Sequence, residues 1–147
     1  MACFPTGVTV VATRDSQGAP VGLTVNSFTS VSLEPPLVLV CIDQGAQSHE
    51  PLIIAGSFAV SILAATQADV AKRFAVRPSE GRFEGVAWTP APSGSPVLSG
   101  AAAWLDCATH EVITAGDHVI ILGRVDAAGT NNVSALLFHR GALRPVG

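Results

Sequence analysis

Between Val21 and Val40 the chain sets short polar side chains, Thr24, Asn26, Ser27, Ser30 and Ser32, beside the apolar residues Val21, Leu23, Val25, Val31 and Leu33. The alternation has a period of two, so one face of each run turns to a core and the other offers hydroxyls and an amide. Donors and acceptors lined up along an apolar floor suit a flat heteroaromatic ligand with polar edges, which points to a bound cofactor. Neither Gly-x-Gly-x-x-Gly nor a Walker loop occurs in the sequence, so a nucleotide phosphate would need clustered N–H and O–H donors or an arginine. Ser27, Ser48 and Arg82 are the candidates, with Ser48 doubling as a plain helix cap. Near the C-terminus, Phe138, His139 and Arg140 put an aromatic face and a guanidinium where a pyridine nucleotide could be received.

Two rival chemistries are disfavoured. Cys107 and His110, three apart on a strand, point to opposite faces, and no metal site is expected. Ser48-His49-Glu50 are neighbours in sequence, whereas catalytic triads are assembled by spatial convergence.

The elements that must position these residues are mostly strands. Strands are expected over Val8 to Thr13 and Val21 to Asn26, joined by a turn at Asp15 to Gly18. The unbroken apolar run Leu37 to Ile42 reads as a central strand buried on both faces. A short helix follows from Ser48 through Ile54, then a strand from Phe58 to Leu63. Thr66 is expected to cap a helix running on to Ala75, with Asp69 near its positive end. From Arg77 to Gly100 prolines and glycines predict a loop-rich rim with a short strand at Val86 to Trp88. Further strands are expected at Ala101 to Thr109, Val112 to Thr114, His118 to Val125 and Ala135 to His139. Short turns between many strands favour an antiparallel barrel over a parallel sheet, giving a mainly β fold with a few short helices.

Composition narrows the function. A chain of 147 residues fits a single domain, 1–147, that buries roughly 68–70% of its unfolded surface. Hydrophobic residues make up 48% and charged residues 13%, with Lys72 the single lysine, so the surface is sparsely charged and a homodimer interface is expected. A net charge of −3 leaves no basic face for nucleic acid. Cys3, Cys41 and Cys107 form no Cys-x-x-Cys pair, which predicts a reduced, cytoplasmic protein without a disulfide framework. No export leader and no apolar run long enough to span a membrane are read in the sequence.

Phe4-Pro5-Thr6-Gly7, the block Thr24-Val25-Asn26-Ser27-Phe28-Thr29-Ser30-Val31-Ser32-Leu33 before Pro35-Pro36, and Gly116-Asp117-His118 with Gly123-Arg124-Val125 occur in one characteristic order. In this the chain resembles the short-chain flavin reductases with an FMN-binding split β-barrel, over nearly its whole length. The resemblance implies a homodimer that uses NADH or NADPH to reduce FMN or FAD, the reduced flavin diffusing to a partner monooxygenase. It implies that Thr24, Asn26 and Ser27, with Val25 between them, meet the isoalloxazine edge, and it leaves open which of Ser30, Ser32 and Leu33 in the same block touches the ring. It places Cys41 beside the flavin through backbone groups, and His118 near flavin and nicotinamide as the catalytic residue. An imidazole there would donate a hydrogen bond when neutral and lend a positive charge when protonated. The alternative for His118 is a turn histidine bonded to Asp117. Hydride transfer between stacked rings needs no catalytic triad. Members usually carry a helix before the Phe-x-Thr-Gly element, and here Met1, Ala2 and Cys3 stand before Phe4. FMN and FAD, and NADH and NADPH, stay open as alternatives, as do a non-turnover flavin carrier and a split-barrel flavoenzyme acting on another substrate.

Overall fold

Alternating apolar residues turn one face of most segments inward, and the chain responds with strands. The computed structural model describes residues 1–76, 78 and 81–146. In order these form β1 (Thr6–Gly7), β2 (Thr9–Arg14), β3 (Pro20–Val25), β4 (Phe28–Leu33), β5 (Pro36–Asp43), α1 (His49–Ile54), β6 (Ser57–Ile62) and α2 (Ala68–Val76). Then come β7 (Trp88–Pro90), β8 (Pro96–Leu98), β9 (Ala103–Ala115), β10 (His118–Thr130), β11 (Leu136–His139) and β12 (Ala142–Pro145).

The main sheet runs β3-β2-β6-β9-β10-β5-β4, with every neighbouring pair antiparallel. Its two edge strands, β3 and β4, are consecutive in the chain and separated only by Asn26 and Ser27. A sheet whose opposite edges are tied by two residues must curl into a barrel, and the seam falls at that tie. Within the tie, Ser27 prolongs the β4–β5 pairing by one residue through its side chain. Ser27 Oγ accepts the Cys41 N–H at 3.1 Å and donates to the Cys41 carbonyl at 2.9 Å. The fold is therefore mainly β, an antiparallel split barrel with a few short helices.

The barrel interior is filled by Val11, Val25, Val40, Ile42, Phe58 and Ile121, with Leu52 of α1 among them. The other face of β2, Val10 and Ala12, together with Val8 just before it, is buried against Phe74 of α2, Leu98 and Leu136. β2 is thus buried on both sides, and α2 with the terminal β11–β12 hairpin forms a second layer outside the barrel.

Several expectations need correcting. The two strands expected at Ala101 to Thr109 and Val112 to Thr114 are one, β9, kept continuous across a bulge by β10, which itself runs to Thr130. Thr66 caps nothing: Ala65–Gln67 is a 3₁₀ turn, and Gln67 Oε1 accepts the Ala64 N–H at 2.9 Å before α2 begins at Ala68. β5 is buried on one face only, because Leu37, Leu39 and Cys41 lie half-exposed outside the barrel. The short strand expected at Val86 to Trp88 starts at Trp88, and β12 was not foreseen. Of the loop expected from Arg77 to Gly100, Arg77, Ser79 and Glu80 lie outside the described residues.

Candidate functional site

Beside the seam, an open groove of about 630 Å³ runs between β3, α2 and the β11–β12 hairpin. Thr24 and Asn26 give it a polar edge from the barrel side. Ala68, Ala71, Lys72, Ala75 and Val76 line it from α2, and Phe138, Ala142 and Leu143 from the hairpin. The spacing along α2 is that of one helix face, and three of its five residues are alanines, so a face that meets β3 leaves room beside the strand. Thr24 fixes the helix at that distance by donating its hydroxyl to the Ala71 carbonyl at 2.6 Å. That hydroxyl holds the wall, and the Asn26 amide, exposed at the seam, is the polar group that the barrel side leaves to the groove. The hairpin turns through Arg140 and Gly141, both at positive φ (51° and 77°), and the Arg140 N–H donates to the Ala2 carbonyl at 2.8 Å.

The remaining candidates fall elsewhere. The Val25 side chain points into the barrel core, and its carbonyl accepts from Thr9 Oγ1 at 2.7 Å. Ser27 is spent on the backbone of Cys41 on β5. Ser30, Ser32 and Leu33 lie on edge strand β4, around a break in register between Ser30 and Ser32, with Leu33 94% exposed. Cys41 faces outward on β5. Ser48 is fully buried and donates to the Gly22 carbonyl at 3.2 Å instead of capping α1. Arg82 Nη1 donates to the same carbonyl at 2.8 Å, and burial lowers the pKa of its guanidinium from the ordinary value. Serine and arginine therefore converge on one point of the β3 edge, though through different elements. Phe138 lines the groove, His139 is half-buried opposite Ala142, and Arg140 is exposed on the turn. His118 opens β10 opposite Asp43 and Ala115, with Nδ1 2.7 Å from Asp117 Oδ1, and it does not line the groove. The hydrogen bond from His118, then its charge, holds the Asp117 carboxyl below its usual range.

The third thiol, Cys107, is buried in the barrel wall between Asp106 and the strand that carries Asp126. Burial above all, and then those two carboxylates, push its pKa up to about 12. It is expected to resist a thiol reagent at pH 8 in the native protein while exposed Cys3 reacts, and to react once the chain is unfolded. Rapid native labelling of Cys107, read by peptide mass, would contradict this placement.

The model of the flavin reductase like domain family matches residues 1–147. The chain belongs to that family. It is 49% identical over 138 residues to a stachydrine N-demethylase reductase subunit of Rhizobium meliloti (strain 1021), covering 94% of this chain and 60% of the relative. It is 43% identical over 139 residues to the reductase component of a flavin-dependent trigonelline monooxygenase of Acinetobacter baylyi, covering 95% of this chain and 44% of the relative. Among solved structures, the NADH:FAD oxidoreductase of Streptomyces globisporus C-1027 superposes with a TM-score of 0.93 at 44% identity, covering 99% of this chain and 89% of that one. The chain thus spans 60% or less of the length of these two curated relatives.

For a flavin reductase-like domain, sequence reasoning missed one whole wall of the groove. Lys72 and the alanines of α2 carry a readable signal, since positions 68, 71, 72, 75 and 76 recur at helical spacing. The hairpin wall had its own signal in Arg140-Gly141, a turn between two short apolar runs. Among the described residues no helix is long and apolar enough to cross a membrane.

Proposed function

We propose that the protein is an NAD(P)H-dependent flavin reductase that takes a hydride from NADH or NADPH and passes it to FMN or FAD bound in the groove beside the seam. The observation that carries this reading is the groove itself: in a chain of this family, Thr24, Asn26 and Phe138 meet around one space of cofactor size. The walls fit a flavin. Val8, Ala71, Ala75, Phe138 and Leu143 offer an apolar bed, and Asn26 and Lys72 offer donors where a ring edge or an anion needs them. When bound, a flavin supplies a hydride acceptor. The chain's own part is to hold the ring, shed water from its faces and stabilise negative charge through the Asn26 amide and the Lys72 ammonium. His118 stands outside this groove, and in this reading it addresses the nicotinamide.

The test is anaerobic absorbance of excess FMN or FAD with catalytic protein and either NADH or NADPH. Bleaching of many flavins per protein molecule is expected, and the four combinations name flavin and donor. Binding without bleaching would show a carrier and overturn the reductase reading.

In this reading residues 1–147 act as one domain in the cytoplasm, where free thiols such as Cys3 persist, and the reduced flavin diffuses to a separate monooxygenase. The protein works as a homodimer. The outer face of β5, β10 and β9 supports this: Cys41, Ile120 and Ile113 form one cross-strand row, and Leu39 pairs with Leu122 in the next. Ile113 is exposed on this face, and Leu39, Cys41, Ile120 and Leu122 are only half-buried there. A second copy laid on this sheet would cover apolar area that a sparsely charged chain leaves uncovered. Leu122→Glu is expected to convert the dimer to a monomer in sedimentation; a monomeric parent protein would remove the interface.

A further inference from the structure

A second groove of about 620 Å³ lies on the same strand, toward the start of β3. Pro20, Pro51, Phe83 and Trp88 give it flat apolar surfaces, and Asp15 and Glu84 stand among them. The aromatic wall is braced. Phe83 and Trp88 meet edge to face at 6.3 Å, Phe83 meets Phe74 at 4.9 Å, and the Arg14 guanidinium covers the Trp88 ring at 5.1 Å. Arg14 is itself pinned by the carbonyls of Gly94 (2.7 Å) and Gly18 (3.2 Å). Arg73 of α2 holds the 81–84 segment in place through the carbonyls of Gly81 and Glu84.

We infer that this second groove is an adenosine site, shaped for an adenine ring and a ribose that carries no 2′-phosphate. The inference rests on the flavin reductase reading of the first groove and extends it along β3. Ring-shaped, immobilised apolar surfaces accept a base by stacking. Carboxylates are acceptors only, and although Asp15 Oδ1 already accepts the Gln17 and Ala19 N–H groups at 2.9 Å, its second oxygen and Glu84 suit ribose hydroxyls and repel a phosphate on the same sugar. The order of groups along the strand is that of a nucleotide joined through phosphates. Pro20 lies at one groove and Asn26 at the other, six residues or roughly 20 Å apart in an extended strand. Between them is Gly22, where the Arg82 cation is anchored. A dinucleotide passing along this edge would place its phosphates beside that charge and its adenosine against Trp88. Adenosine of this kind comes from FAD or from NADH, and the site excludes the adenosine of NADPH.

The test titrates the full chain with AMP and with 2′,5′-ADP, then repeats both with Ala19→Trp, a groove-filling change at an exposed position of the 15–19 turn, and with Glu84→Arg. AMP is expected to bind at least about tenfold more tightly than 2′,5′-ADP. Ala19→Trp should weaken AMP by a similar factor, and Glu84→Arg should narrow or invert the preference, so either variant carries the test if the other fails to fold. Equal binding of the two probes, or AMP affinity untouched by both variants, overturns the proposal. If Ala19→Trp erases a preference for FAD over FMN, the adenosine belongs to the flavin; if it raises the KM for NADH instead, it belongs to the donor. Loss of FMN binding by the parent protein would sink the reading of the first groove while leaving the AMP result interpretable.

Discussion

Phe58→Ala is expected to remove about 3–5 kcal/mol of folding stability, a large fraction of the roughly 5–15 kcal/mol a domain possesses. Phe58 is completely buried on β6, opposite Cys107 on β9, and it belongs to the cluster that fills the barrel. Its ring lies against β10 at Gly123, where an added Cβ would sit 2.5 Å from the ring's Cζ and 2.9 Å from the Cys107 Cβ. The glycine is there because the ring needs its space. Gly123→Ala is therefore expected to destabilise by about 1–3 kcal/mol through overpacking. The two effects share a cause, so the double variant should be less destabilised than the sum, since removing the ring makes room for the methyl. Urea unfolding checks this through the midpoints at unchanged slope. Strict additivity would show that the ring and the glycine are not in contact.

The barrel was legible because its strands are short apolar runs bounded by turn residues. β2, β3, β6 and the paired portion of β10 carry short apolar periods bounded by turn residues, and a local pattern of that kind does not depend on what lies across the sheet. β5 was legible as a strand and misread in burial, since Leu37 to Ile42 is apolar on both faces whether the outer face meets its own chain or a second one. The continuity of β9 was hidden for a different reason. A bulge shifts the alternation midway, and only the β10 ladder reveals that the strand continues.

The site divides in the same way. Thr24 and Asn26 were found because they share a strand face, and Phe138 because an aromatic beside a guanidinium is conspicuous. Ser27, Ser48 and Arg82 are polar residues of the right kind whose hydrogen bonds go to Cys41 and Gly22 carbonyls. No one-dimensional pattern distinguishes a serine that meets a ligand from one that bonds the backbone of another strand, because the deciding partner is distant in sequence. Lys72 was overlooked for the opposite reason: its neighbours in space are alanines, whose contribution to a groove is the volume they do not fill.

That absence of volume supplies the second large effect. Ala75→Trp places an indole in the groove from a helix position already exposed to solvent, so the fold has little reason to resist it. Flavin affinity is expected to fall by about 10- to 100-fold, a loss of roughly 1.4–2.8 kcal/mol. Asn26→Ala should fall in the same range, about 1–3 kcal/mol, if the amide hydrogen-bonds the bound ring away from water. The two losses have different signatures. Filling the groove blocks every flavin alike, whereas removing the amide spares the apolar bed and should be partly rescued by Asn26→Gln. His118→Ala provides the contrast, because His118 is held by Asp117 at the far end of β10 and lines no part of this groove. It should leave flavin affinity unchanged and lower turnover. Fluorescence titration of FMN against the three variants decides the matter: unchanged affinity in both Ala75→Trp and Asn26→Ala would move the flavin out of this groove and toward β4, where Ser30 and Ser32 would have to hold it.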